Sequence, residues 1–186
     1  MDTEEKQLIK QILDGDTRAF KIFIETYRRL VAHIVFRMVA NSADREDVCQ
    51  DVFVKAYQNL HGFQFQSKIS TWLARIACNT CLNYLEKRRL PLFDDRALEE
   101  MNFVSHNDDP YTEAADSDIN RLLRHYIDAL PVLFRAIVTL YHLDGMKYEE
   151  ISQILEIPAG TVKSYLFRAR RMLREKLVEL EQEVLC

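Results

Sequence analysis

With 186 residues, 48% of them hydrophobic, the chain is long enough for one ordinary domain or two small ones. It holds only four glycines and four prolines, and runs of strict apolar–polar alternation are missing, which argues against a strand-built fold and for an all-α chain of two small helical domains. A net charge of -4 is unusual for a free-standing DNA binder, which is normally basic overall, so any affinity for DNA is expected to be borrowed from a partner.

In chain order, Leu8, Ile9, Ile12 and Leu13 mark a short amphipathic helix. Asp16 then caps a long one carrying Phe20, Phe23, Tyr27, Leu30, Val31, Ile34, Val35 and Met38. A third helix, starting near Ala43 and ending at Gly62, keeps Val48, Val52, Phe53, Ala56, Tyr57 and Leu60 on its apolar face. Its first turns, DREDVCQD, are acidic. The helix dipole accounts for Asp44 and Glu46 better than for Asp47, Gln50 and Asp51, which are placed to form a polar docking face.

The loop FQFQSKIS follows, with two aromatics and Ser70 positioned to cap a helix beginning at Thr71. In that helix, TWLARIACNTCLNYLEKRR, Trp72, Leu73, Ile76, Ala77, Thr80 and Tyr84 suit a core, while Arg75, Asn79 and Asn83 recur every four residues on another face. Asparagine is a poor helix former, so two in register in mid-helix sacrifice propensity without a capping role, which points to function. Lys87, Arg88 and Arg89 close the helix before Pro91; the same charges complement the dipole and are able to hold phosphates.

From residue 90 to about residue 116 the pattern dissolves into a polar, acidic stretch read as a partly flexible linker. Beyond it, Ile119, Leu122, Leu123, Tyr126, Ile127 and Leu130 define one amphipathic helix, and Pro131 opens another with Leu133, Ile137, Leu140 and Tyr141 inward and Gly145 at its end. Residues 148–174, YEEISQILEIPAGTVKSYLFRARRMLR, read as a helix-turn-helix. At 100° per residue, Val162, Leu166, Ala169, Leu173 and Leu177 form one stripe, and Lys163, Ser164, Phe167, Arg168, Arg171 and Arg174 fall roughly opposite, with no acid before Glu175. A merely solvated face mixes its signs, so this one is read as a DNA-contacting face. The turn Ile157, Pro158, Ala159, Gly160 separates the two helices, and Thr161 is expected to cap the second.

Cys49, Cys78, Cys81 and Cys186 lack metal-ligand spacing, since the Cys78–Cys81 pair sits inside a helical pattern with no second pair nearby; they read as small buried thiols. No phosphate loop, HExxH or nucleophile elbow occurs, so neither a catalytic residue nor a metal or other cofactor is expected. No apolar run approaches the roughly 18 to 20 residues of a membrane span. The start MDTEEKQLIK lacks a signal peptide's basic and apolar regions, so a cytoplasmic protein is expected.

Three segments in this order, DREDVCQDVFVKAYQNL, ISTWLARIACNTCLNYLEKRR and LPVLFRAIVTLYHLDGMKYEEISQILEIPAGTVKSYLFRARRMLREKL, resemble bacterial sigma factors, and within them the extracytoplasmic-function group. The resemblance covers nearly the whole chain. It implies a sigma region 2 domain over residues 1–90, a linker over 91–116 and a sigma region 4 domain over 117–186. Its partners would be core RNA polymerase, promoter DNA and an anti-sigma factor.

By the same resemblance, Asp47, Gln50, Asp51 and Phe53 would grip the polymerase clamp helices. Phe63, Phe65, Asn79, Asn83, Lys87 and Arg88 would read the minus-ten element, a flipped base entering a pocket between loop and helix. Lys163, Ser164, Phe167, Arg168 and Arg171 would read the minus-thirty-five element as duplex. Tyr165 departs from the arginine that many family members carry there, which puts a phosphate contact at that position in doubt. Two other readings compete. A stand-alone helix-turn-helix regulator would need a ligand or receiver domain that the N-terminal half does not show. An enzyme or RNA-binding helical module would leave the aligned asparagines and basic helix without a catalytic group to serve.

Overall fold

The computed structural model describes residues 3–88 and 118–184, so the expected linker over residues 91–116 and Arg89 lie outside the described residues. Every regular element among the described residues is helical: α1 (Thr3–Leu13), α2 (Thr17–Met38), α3 (Ser42–Asn59) with a 3-10 turn (Leu60–Gly62), α4 (Ile69–Lys87), α5 (Asp118–Ala129), α6 (Val132–Val138), α7 (Tyr148–Leu155) and α8 (Ala159–Val184). A π-helical turn (Thr139–Leu143) extends α6.

Local chemistry sets most of these boundaries. The Asp16 carboxylate accepts from the amides of Arg18 at 2.8 Å and Ala19 at 3.3 Å, satisfying donors that the first turn of α2 leaves unpaired. Asn41 does the same for α3 through the Ala43 amide. Ahead of α7, the Glu150 carboxylate reaches back to the Lys147 amide at 2.9 Å.

Two caps expected from sequence are not formed. Helix α4 begins at Ile69, so Ser70 lies within its first turn. Helix α8 begins at Ala159, and the amides of Thr161 and Val162 already donate to the Pro158 carbonyl, so Thr161 is inside the helix it was expected to cap. Pro131 precedes α6 as its cap, one residue earlier than a first helical position.

The N-terminal core gathers Phe23, Val31, Val35, Met38, Val52, Leu60 and Leu73 from α2, α3 and α4. Complete burial of such a side chain stabilises by about 1.5–3 kcal/mol. The C-terminal core is built on Leu130, Ile137, Leu140, Ile151 and Ile154, with Val162, Leu166 and Ala169 supplying the inward stripe of α8. Helix α4 packs against α2, α3 and also α7, so it joins the two halves. Ala74, Ala77, Cys78 and Cys81 are fully buried along it, and residues this small let neighbouring helices approach closely.

Among the described residues, polar pairs cross between the halves. Arg37 Nη1 donates to Asp128 Oδ1 at 2.7 Å with both side chains buried, while Arg135 Nη1 donates to the Asp128 carbonyl at 2.9 Å. His33 Nδ1 meets Asp144 Oδ1 at 3.3 Å, Lys68 Nζ meets Glu150 Oε1 at 2.9 Å, and Arg75 Nε donates to Glu156 Oε1 at 3.1 Å. Beside them lies a cleft of about 470 Å³, lined from one half by Arg29, His33 and Lys68 and from the other by Asp144, Met146 and Glu150.

Candidate nucleic-acid and polymerase interfaces

Helix α8 separates its two faces cleanly. Val162, Leu166 and Ala169 are buried, whereas Lys163, Ser164, Phe167, Arg168 and Arg171 are exposed, Phe167 to 67%. Ser164 Oγ donates back to the Gly160 carbonyl at 2.9 Å, which fixes its rotamer and leaves its lone pairs outward. Arg171 makes an exposed ion pair of 3.5 Å with Glu175, of the weak kind that a phosphate can displace.

The turn before α8 is tied by a hydrogen bond across it. Glu156 takes the left-handed conformation with φ 57°, and Ser152 Oγ donates to the Ile157 carbonyl at 2.6 Å across the bend. On the other side of α8, Arg170 lies 5.2 Å over the Tyr141 ring and contacts His142, while Tyr141 stacks on Tyr148 at 5.2 Å. This brace fixes α8 to α7 and the π-helical turn. Burial and the Arg170 charge hold the His142 pKa below its ordinary value. Sequence periodicity missed the brace, because Arg170 carries the same charge as the arginines of the opposite face. Tyr165 is half-buried with its ring edge-on to Phe134 at 5.3 Å, so it packs against α6.

On α4, Arg75 and Asn83 are exposed and Asn79 is half-buried, spaced along one face. Neither carboxamide is engaged by another described residue, which leaves donor and acceptor available to a ligand. The loop before α4 packs its aromatics together at tilted angles: Phe63 is buried, with Trp72 at 5.3 Å and Phe65 at 4.9 Å between ring centroids. Phe65 is 44% exposed and holds φ 59°, a left-handed conformation that a bulky side chain rarely adopts. The loop thus presents Phe65 outward on a Phe63–Trp72 base.

At the far end of α4, Lys87 is exposed. Arg88 lies 4.9 Å over the Tyr84 ring with Nη2 at 2.9 Å from Asp44, which also accepts from the Tyr84 hydroxyl at 2.7 Å. Arg88 therefore belongs to the α3–α4 seam as well as to the basic end of the helix.

On α3, Asp47, Gln50 and Asp51 are exposed in one stripe, and Val54, 53% exposed, continues it by one turn. Phe53 points the other way, 9% exposed within the core. The family resemblance set it among the contact residues; with Val52 and Ala56 it lies on the apolar side of α3.

Cys78 and Cys81 are buried in the core and Cys49 is partly buried. Burial pushes Cys49 and Cys78 up to about 12 and Cys81 well above its ordinary value. Among the described residues no cluster of histidine, cysteine or carboxylate groups is arranged to hold a metal, and no helix is long and apolar enough to cross a membrane.

A helix-turn-helix with an exposed basic face, joined to a helical bundle that presents a strained aromatic loop and a face of asparagines, defines a two-module nucleic-acid-binding protein. The chain matches the models of Sigma-70 region 2 over residues 23–90 and Sigma-70, region 4 over residues 120–173. It is 36% identical over 183 residues to the ECF RNA polymerase sigma-E factor of Haemophilus influenzae, covering 95% of this chain and 96% of that one. It is 38% identical over 180 residues to the corresponding protein of Escherichia coli, covering 93% and 94%. The chain belongs to the extracytoplasmic-function group of RNA polymerase sigma factors, DNA-binding proteins of transcription initiation.

Two solved structures share the fold. CnrH in complex with the cytosolic domain of CnrY aligns with a TM-score of 0.65 at 24% identity, over 92% of this chain and 96% of that one. The sigma factor RpoE in complex with the anti-sigma factor NepR from Bartonella quintana aligns with a TM-score of 0.69 at 22% identity, over 87% and 98%.

Proposed function

We propose that this sigma factor divides promoter recognition between α8 and α4. The exposed basic face of α8, with its apolar stripe sunk in the core, carries the reading. Inserted in the major groove of the minus-thirty-five element, Arg168 and Arg171 donate to guanine edges or phosphates, Lys163 and Ser164 add hydrogen bonds, and Phe167 offers an apolar surface to a thymine methyl.

At the minus-ten element the chemistry differs. The duplex must open, and a base taken out of the stack exposes its Watson–Crick edge to Asn79 and Asn83 and its ring face to Phe65. Phe63 acts beneath Phe65 as its support. Lys87 and Arg88 hold the adjoining backbone. On α3, the stripe Asp47, Gln50, Asp51 and Val54 docks on core polymerase, with Phe53 holding it in place from inside. The polymerase supplies the catalytic chemistry, so this protein is a non-enzymatic factor without a cofactor, acting in the cytoplasm where polymerase and chromosome are.

The resemblance to sigma–anti-sigma complexes supports an anti-sigma factor as a further partner. The domains follow residues 1–90, 91–116 and 117–186.

Transcription in vitro with core polymerase tests the assignment. Restricted start sites are expected only when this protein is added. Asn79→Ala and Asn83→Ala should preserve polymerase binding and the helix, alanine being the better helix former, while reducing permanganate reactivity in the melted region. Unchanged opening by both variants removes the asparagines from the site.

A further inference from the structure

We propose that Lys55 and Asp44 of α3 are positioning residues for promoter opening, whose polar contacts with α4 fix the rotation of that helix and so aim Asn79 and Asn83 outward. The inference deepens the assignment of α4 to the minus-ten strand and rests on it. Thr80 and Tyr84 each stand one position after an asparagine of the proposed reading face, and Arg88 continues their four-residue spacing at the cap of α4. All three are engaged from α3. Lys55 Nζ donates to Thr80 Oγ1 at 3.2 Å, and that hydroxyl, on a buried side chain, donates in turn to the Ile76 carbonyl at 2.7 Å. Further along, the Tyr84 hydroxyl donates to Asp44 Oδ2 at 2.7 Å, and Arg88 Nη2 stands 2.9 Å from the same oxygen with its guanidinium over the Tyr84 ring.

Asp44 and Lys55 lie about three turns apart on α3 at 3.6 residues per turn, so they share one side of it. The two helices run antiparallel, which brings Asp44 to the end of α4 and Lys55 to its middle. Between these contacts α3 contributes Val48 and Val52 to the core, and α4 contributes Ala77 and Cys81.

Apolar burial is non-directional, so it does little by itself to prevent a small rotation of one helix on the other. Hydrogen bonds weaken steeply away from their preferred angle. Polar contacts at two levels of the seam therefore hold α4 in one rotation. Neighbouring positions on a helix point about 100° apart, so fixing Thr80 and Tyr84 against α3 turns Asn79 and Asn83 away from it. A pair of carboxamides that reads a base edge tolerates misorientation of only about 10–20°.

The test uses the full chain assembled with core polymerase. Lys55→Met/Tyr84→Phe removes the ammonium and the hydroxyl while keeping the aliphatic stem and the ring. Holoenzyme is formed at saturating protein, well below the unfolding temperature of each variant. Permanganate reactivity of the melted region should fall about fivefold or more, the scale of two lost hydrogen bonds. Selection at the opened positions of a randomised minus-ten element should relax. Lys55→Arg, which keeps a donor, should retain both properties. Added to Asn79→Ala/Asn83→Ala, the same two substitutions should cause no further loss, because they act through those side chains. Opening and selection at the wild-type level, even with lowered stability, overturn the proposal, as does an equal further loss in the asparagine-free background. If the double substitution impairs folding, Tyr84→Phe alone, one oxygen smaller, carries the same comparison. Normal opening by Asn79→Ala/Asn83→Ala itself overturns the underlying assignment instead.

Discussion

At the scale of single residues, Phe65 and Arg168 carry the sharpest consequences. Phe65 holds φ 59° with its ring 44% exposed, so the loop bears backbone strain and gains little burial from it. A residue with a Cβ in this conformation costs about 1–2 kcal/mol more than glycine. Phe65→Gly should therefore be more stable than Phe65→Ala by about 1 kcal/mol in urea unfolding, while both lose promoter opening to a similar extent. A glycine variant that opens promoters normally, or that is less stable than the alanine variant, removes the functional reason for the strain. Arg168 is exposed on α8. Arg168→Ala should leave the unfolding midpoint unchanged, cost about 1–3 kcal/mol at promoters and relax selection at one upstream base pair. Selection of active promoters from a randomised upstream element reads both effects. An unaltered preference excludes direct base contact.

At the scale of elements, α4 is the most constrained. One face carries Arg75, Asn79 and Asn83, while Ala74, Ala77, Cys78 and Cys81 are buried tightly on the other. The thiols give this packing a pH signature. Burial raises Cys49 and Cys78 from 9.0 to about 12, so the folded chain keeps their protons where the unfolded chain releases them. Their contribution to stability is full below pH 9 and is lost as pH rises from 9 toward 12. Urea midpoints measured from pH 8 to 10.5 should fall for the wild type and fall less for Cys49→Ala/Cys78→Ala. Parallel profiles for the two proteins contradict the burial of neutral thiols. Iodoacetamide at pH 8 should spare Cys78 and Cys81 in the folded chain and label them in urea.

At the scale of the whole molecule, charge decides how the protein finds DNA. With a net charge of -4, one short basic face neutralises few phosphates by itself. The free protein should bind duplex promoter DNA weakly with a shallow dependence on salt. The holoenzyme should bind tightly with a steeper one. Anisotropy or filter binding over a series of salt concentrations gives both slopes. Tight, promoter-specific binding by the free protein at physiological salt contradicts this division of labour and favours a stand-alone regulator. The buried Arg37–Asp128 pair belongs to this scale too, since it is formed between α2 and α5 and has no meaning within either half alone.

The sequence by itself determined the helical class, the apolar stripe of α8 and the basic face opposite it, because these follow from a 3.6-residue period and from capping and turn chemistry within a few residues. The proposed role of Asn79 and Asn83 starts from a related argument: a local cost in helix propensity has no local return. Only the tertiary structure decided which loop aromatic faces outward, since Phe63 differs from Phe65 in what packs on it and not in type. The same holds for Tyr165 against Phe134, Arg170 over Tyr141 and Arg88 between Tyr84 and Asp44. The polar pairs across the modules were equally hidden, because Arg75 and Glu156 are 81 positions apart and a sequence period carries no information about a partner on another helix. Local spacing specifies a face; what that face meets depends on packing between elements distant in the chain, where burial and charge pairing are settled together.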